Sequence, residues 1–301
     1  MTLRILVEAS GSLTSGYMIR AIQEAGHQCI ASDIDNECAG HYLANDFVAM
    51  PHKEDPLLWE KIENILVEKR VDLVIPSFDE TLLGWAERVG QFRGRGTDVI
   101  LSPIESVAVC QDKWLTYEFF RRNGIPTPET SLEQCFPLVK PRNGRGAVGV
   151  RIASEPIDMT CMVSQELLEG VEYTIDVFCD RDNAPVYIVP RRRIGVKDGK
   201  STAGIVEDQP VIRHWVENIC SKLPFSGPIN LQCFVLQDGS VKFVEINPRI
   251  AGGMALGFAA TENWIALIID NLMEGRSILP KPVAYGMRMM RYYAEIFVPR
   301  H

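Results

Sequence analysis

This chain of 301 residues lacks a basic excess, a long apolar run and any paired cysteine motif. Its 31 Lys and Arg stand against 39 Asp and Glu, for a formal charge of −8. The cationic stripe that would track a nucleic-acid backbone is therefore missing, apart from the local run Arg191-Arg192-Arg193. No apolar run approaches the roughly 18 residues that a membrane span needs. The opening MTLRILVEA enters a strand pattern directly, with no signal-peptide cleavage region, so the expectation is a cytoplasmic protein without membrane contact. The eight cysteines are scattered without a CxxC pair, and several lie in apolar runs. That pattern fits small reduced core residues better than a disulfide frame or a zinc site. Gly11 and Gly16 do not form a GxGxxG motif, the loop at 141–149 is not GxxxxGK[ST], and no Ser-His-Asp or Cys-His constellation can be assembled.

What remains is an ordinary globular composition, 46% hydrophobic and 23% charged, long enough for two domains or for one domain with a lid. Over residues 1–105, strands at 3–9, 27–33, 71–76 and 98–102 alternate with helical spacing at 16–26, 56–70 and 79–92, which predicts a parallel α/β sheet. Gly11 and Gly16, followed by Asp33 and Asp35, leave a dinucleotide-dependent oxidoreductase as a rival reading, although the glycine spacing is wrong for one. Asp79 and Glu80 stand at a strand end, either facing a ligand or favouring a helix start.

Beyond residue 105 the pattern changes. Residues 106–123 read as one helix, and residues 136–140 as a strand ending in Lys140. The loop that follows, 141–149, contains Gly144, Gly146, Gly149 and two arginines, and its N–H groups could wrap phosphates. Strands follow at 162–168, 171–179 and 186–194. Glu172, Thr174 and Asp176 share one face of the second, a face turned to solvent or one from which Glu172 accepts hydrogen bonds from ribose hydroxyls. The three arginines read equally as a basic edge or as an anion site. Residues 197–200 read as a loop and 211–223 as a helix. An apolar helix is expected over 254–273, its start at Gly252-Gly253 aimed at Arg249, and one or two closing strands over 283–298.

Between these helices lies the stretch VKFVEINPRIAGG, with Glu245, Asn247 and Arg249 on alternate residues of one strand face. Asp238-Gly239 joins it to the strand 227–236 as a hairpin. With a two-residue loop, Gln232 falls opposite Glu245, Asn230 opposite Asn247, Phe234 opposite Phe243 and Leu236 opposite Val241. A carboxylate in so apolar a hairpin must be hydrogen-bonded, ion-paired or metal-bound. The side-chain oxygens of Gln232, Glu245 and Asn247 suit one or two Mg²⁺ ions; a structural Glu–Gln hydrogen bond is the plainer alternative.

In its order of Lys113, then Lys140 with a glycine-rich loop, then QELLEGVEY at 165–173, then Gln232, Glu245, Asn247 and Arg249, the chain resembles the ATP-grasp superfamily. It is most similar to a single half of the carbamoyl phosphate synthase large subunit. The resemblance implies a Rossmann-like pre-ATP-grasp α/β domain over 1–105, then an ATP-grasp domain with antiparallel sheets over 106–301, its lid at about 113–168. It further implies ATP phosphates on Lys113, Lys140 and the backbone of Gly144 and Gly146, with adenine at Glu166 and the Leu168 backbone and ribose at Glu172. Mg²⁺, with Mn²⁺ as the alternative, would sit on Gln232, Glu245 and Asn247. Arg249 and Arg193 would steady the transferring phosphoryl group. Gln232 stands where many members carry an acid, which lowers the charge of the metal site. The implied function is a carboxylate–amine ligase working through an acyl phosphate on small-molecule substrates, with a homodimer as one arrangement. The alternatives are a carbamoyl-phosphate-synthase-like enzyme acting on bicarbonate, the oxidoreductase, and a nucleotide-binding protein without turnover.

Overall fold

The computed structural model describes residues 1–12, 14–197 and 200–298. Its first layer follows the alternation read from the sequence. Strands β1 (Arg4–Val7), β2 (Gln28–Asp33), β3 (Asp46–Ala49), β4 (Leu73–Ile75) and β5 (Asp98–Val99) form a parallel sheet in the order β3-β2-β1-β4-β5. Helices α1 (Gly16–Glu24), α2 (Ala39–Leu43), α3 (Leu58–Glu68) and α4 (Leu82–Arg93) connect them. The α2–β3 pair has no counterpart among the elements expected from sequence: five and four residues are too few to display a period.

Helix α5 (Ile104–Gln111) and helix α6 (Lys113–Arg122) replace the single helix expected here. They part at Asp112, whose extended backbone (φ −114°, ψ 115°) lets its carboxylate accept from the N–H groups of Trp114 and Leu115. An N-cap inside an apolar run thus starts a new helix. A small antiparallel sheet follows, with β6 (Thr130–Ser131), β7 (Leu138–Pro141), β8 (Arg151–Ile152) and β9 (Met162–Gln165) in the order β6-β9-β7-β8.

The main antiparallel sheet is built from β10 (Gly170–Cys179), β11 (Pro185–Lys197), β12 (Lys200–Val206), β13 (Gly227–Leu236), β14 (Val241–Asn247) and β15 (Arg288–Met290), ordered β14-β13-β10-β11-β12-β15. The loop expected over 197–200 touches both β11 and β12; its central residues 198–199 lie outside the described residues. Helix α7 (Pro210–Lys222) buries Ile212, Val216 and Ile219 with Ile175, Val177 and Phe243 in one core. A second core joins the two large sheets: Ile5, Met18 and Ile75 of the parallel layer share it with Phe178, Tyr187 and Trp264. The apolar helix expected over 254–273 is broken into α8 (Ala255–Ala260), α9 (Trp264–Leu267) and a π-helical turn, Ile268–Met273. Asn263 makes the break, capping Ile265 N–H and donating to the Ala21 carbonyl at 2.7 Å. Of the closing strands expected over 283–298, only β15 forms. Among the described residues, no helix is long and apolar enough to cross a membrane.

Candidate active site

The hairpin β13–β14 carries the polar face, and its geometry corrects the register expected near the turn. Gln232 does lie opposite Glu245 and Asn230 opposite Asn247. Nearer the turn, however, Cys233 pairs with Phe243, Phe234 with Lys242 and Val235 with Val241. The loop contains three residues, Gln237-Asp238-Gly239, with Gly239 at φ 81° and its N–H bonded to the Leu236 carbonyl at 3.0 Å. A bulge between Gln232 and Cys233, with Val244 as the extra residue, then restores the register at the far end. The two offsets cancel at Glu245 but not before it. As a result Phe243 turns into the core, fully buried, and Lys242 turns to the polar face, where it reaches Glu166 at 2.6 Å. No alternation rule applied to the sequence places Lys242 there.

Around this face the side chains form a connected polar network. Asn247 donates from Nδ2 to Glu245 Oε1 at 2.7 Å, and Arg249 Nη2 donates to Asn247 Oδ1 at 3.3 Å. Arg249 is clamped by Asp79 through two bonds of 2.7 and 2.6 Å, so the strand-end acid of the parallel sheet meets a side chain 170 residues away. Lys140, at the end of β7, is buried and donates to Gln165 Oε1 at 2.8 Å. Burial pulls its ammonium down to about 8 against the opposing charge of Glu245, and the nearby Lys113 charge adds to the fall. Lys113 donates to the Gly144 carbonyl at 2.9 Å, and Asp112 pairs with Arg142 at 2.5 Å, so the split between α5 and α6 clips the start of the glycine loop. In that loop Gly144, Gly146 and Gly149 all have positive φ (114°, 64° and 74°), a region closed to most side chains. Arg145 lies 3.2 Å from Glu80 and stacks 4.5 Å from the Phe78 ring centroid, so the loop touches the parallel sheet as well.

The three arginines of β11 do not form one basic patch. Arg191 makes a buried two-bond pair with Asp176 (2.5 and 2.7 Å), Arg192 pairs with Glu207 at 2.7 Å, and Arg193 with Glu172. Thr174 and Asp176 are buried, so the polar face of β10 is neither solvent-facing nor an open row of acceptors. Glu172 is held by Arg193, and Asn230 donates to Asp176 at 2.8 Å. Glu166 is bonded to Lys242 and to the Glu129 N–H at 3.2 Å.

One cavity of about 880 Å³ lies between the two large sheets. Gly144, Gly146, Arg193, Gln232, Glu245, Asn247 and Arg249 line it. Lys113, Lys140, Glu166, Leu168 and Glu172 lie outside its lining. Sequence reasoning missed Gln165 as the partner of Lys140 and Arg145 as a bridge to Glu80. A lysine and an amide 25 residues apart give no spacing signal; only strand pairing, Lys140 beside Val163, brings them together.

A family model described as "ATP-grasp in the biosynthetic pathway with Ter operon" matches residues 158–293. The carbamoyl phosphate synthase large chain of Thermoplasma acidophilum is 25% identical over 263 residues, covering 73% of this chain. This chain spans about a quarter of the length of that relative (25%). The L-amino acid ligase of Bacillus licheniformis superposes with a TM-score of 0.73 at 18% identity, over 93% of this chain and 75% of that one. The N5-carboxyaminoimidazole synthetase of Staphylococcus aureus, complexed with ADP, superposes with a TM-score of 0.72 at 16% identity, over 96% and 81% of the two chains. The chain is thus similar to an ATP-grasp family model over residues 158–293 and, over most of its length, to one part of the carbamoyl phosphate synthase large chain, and it shares the fold of these solved ligase structures.

Proposed function

We propose that the chain is an ATP-dependent carboxylate–amine ligase that forms an amide through an acyl phosphate and releases ADP and phosphate. The observation that carries this reading is the convergence of Glu245, Asn247 and Arg249 with the glycine loop on a single cavity. Phosphoryl transfer to a carboxylate needs positioning and charge compensation rather than a protein nucleophile, and this set supplies both. Lys140 and Lys113 would meet phosphate oxygens with the loop N–H groups. Glu166, Leu168 and Glu172, outside the cavity lining, would face the nucleoside.

Gln232, Glu245 and Asn247 form an oxygen donor set on adjacent strands, which suits a hard cation such as Mg²⁺. They would hold it, and the metal would supply charge compensation at the phosphate oxygens. Arg249, fixed by Asp79 beside Asn247, would steady the developing charge on the transferred group. Arg193, set by Glu172, stands at the edge of the same cavity.

The acyl substrate in this reading is an organic carboxylate, which Arg249 in the cavity lining would orient by charge-assisted hydrogen bonds. Similarity to carbamoyl phosphate synthase favours a second reading in which bicarbonate is the acid. The deciding experiment measures ADP release and product mass over a panel of carboxylates and amines. Turnover that depends on bicarbonate and consumes two ATP per product would replace the first reading with the second.

A further inference from the structure

The cavity extends past the phosphoryl-transfer residues into the parallel sheet, and the character of its wall changes there. Met50, Pro51, Leu58, Ile62, Ile75 and Phe78 line this arm, at the C-terminal ends of β3 and β4 and on the facing side of α3. Ile62 and Ile75 are 1% and 2% exposed, so the arm is floored by rigid core rather than by movable surface. Glu8 also borders it, but its carboxylate is taken up by donors from within the fold: the N–H groups of Ser77 and Phe78, the Thr81 hydroxyl and the Trp85 indole. Glu8 is therefore no spare ionic partner, and the floor offers apolar contact area, with the polar side chains of His52 and Lys53 following Pro51 on the same lining.

At the mouth of the arm the chemistry is cationic. Phe78 adjoins Asp79, which fixes Arg249, so the apolar arm opens directly beside that guanidinium. Across the cavity Arg191 is 1% exposed and holds Asp176 through Nε and Nη2, while its Nη1 is buried without a hydrogen-bond partner among the described residues. Such an orphaned donor is costly to bury and marks a place for an acceptor. Gly253 lies against this guanidinium: a Cβ there would stand 3.0 Å from Arg191 Nη2.

We infer that the acyl substrate is a carboxylic acid with an aliphatic or aromatic side group, its carboxylate beside Arg249 and Arg191 and its side group in the Met50–Leu58–Phe78 arm. This rests on the ligase reading and names its substrate class. An apolar wall strengthens binding by about fourfold for each methylene it removes from water.

Two readouts on the full chain with ADP and Mg²⁺ or ATP and Mg²⁺ test this. Calorimetry with acetate, butanoate, 4-methylpentanoate, 3-phenylpropanoate, succinate and bicarbonate reads binding, and ADP release with ammonia and an amino-acid mixture as nucleophiles reads turnover. The expected result is affinity rising at least tenfold from acetate to 4-methylpentanoate, with bicarbonate weakest. Met50→Trp, which fills the arm, is expected to reverse that ratio by at least tenfold; Leu58→Gln serves if the first variant does not fold. Selective binding of the apolar acids that Met50→Trp abolishes, without ADP release for any of them, would uphold the arm and overturn the ligase reading. ADP release driven by succinate or bicarbonate, with no preference among the aliphatic acids, would overturn the arm and leave the ligase standing. Flat affinity across the panel and no turnover would overturn both.

Discussion

Lys140 shows how one buried charge ties stability to ligand binding. Its ammonium has Gln165 as a neutral partner and lies under the influence of Glu245, and burial lowers it to about 8. A lysine in the unfolded chain titrates near 10.4, so between about 8 and 10.4 the unfolded state binds more protons. The ligand-free protein should therefore gain stability as pH rises through that window, relieving a penalty present in full below it. Nucleotide phosphates would reverse the preference by favouring the ammonium. ADP affinity, followed by calorimetry, is expected to be flat below pH 8 and roughly tenfold weaker at pH 9 than at pH 7. Lys140→Gln should bind weakly with no such slope; a slope that persists in the variant would assign the titration to another group. Glu245 supports a second prediction at the same scale. Glu245→Gln keeps volume and the Asn247 contact but removes the charge, and turnover should fall by about 3 kcal/mol in barrier with the fold retained. ADP formation near the wild-type rate would remove Glu245 from the metal site.

At the level of elements, what the sequence discloses depends on whether a local rule or a distant contact decides. The polar end of β14 was legible because Glu245 and Asn247 alternate there, although Arg249 lies in the bend just past the strand, and the pairing of Gln232 with Glu245 holds. It holds through two compensating departures, a three-residue loop and a bulge, neither of which has a sequence marker beyond Gly239. The split of α5 from α6 and the break before α9 were not legible, since Asp112 and Asn263 act as caps only because the fold supplies Arg142 and Ala21 as partners. The three arginines of β11 looked like one patch, yet adjacent strand residues alternate in direction and meet different acids. The glycine loop supports an element-scale prediction. Its three positive-φ glycines are tethered by Lys113 to Gly144 and by Arg145 to Glu80, the latter pair part-exposed and of small worth. Amide exchange over 143–147 should be fast in the free protein and slow at least tenfold with ATP and Mg²⁺, because phosphates would supply fixed acceptors to those N–H groups. Equal exchange in both states would mean that the loop does not hold phosphate.

The whole molecule is joined across its cleft by the pair Asp79–Arg249, which links the parallel sheet to the end of the hairpin. Both side chains are nearly buried, at 11% and 12% exposure, and the surrounding core also runs continuously from β1 and α1 to Trp264. Of the three cores among the described residues, one lies within residues 6–101 and one within residues 109–246, while the third spans both parts of the chain. If Arg249 serves only to hold the halves together, exchanging the pair for apolar residues of similar size should leave function intact. If it meets the transferred phosphoryl group, the two roles separate. Asp79→Asn strands a guanidinium charge and should lower stability by about 3 kcal/mol, measured as a shift in the urea midpoint at constant slope. The double variant Asp79→Leu, Arg249→Met removes both charges and should regain most of that loss, since burying the pair cost desolvation in the first place. Turnover should nevertheless stay at least a hundredfold below wild type in the double variant, because no packing gain replaces a guanidinium beside a developing phosphoryl charge. Recovery of stability together with recovery of ADP release would reduce Arg249 to a strut between the sheets and take it out of the chemistry.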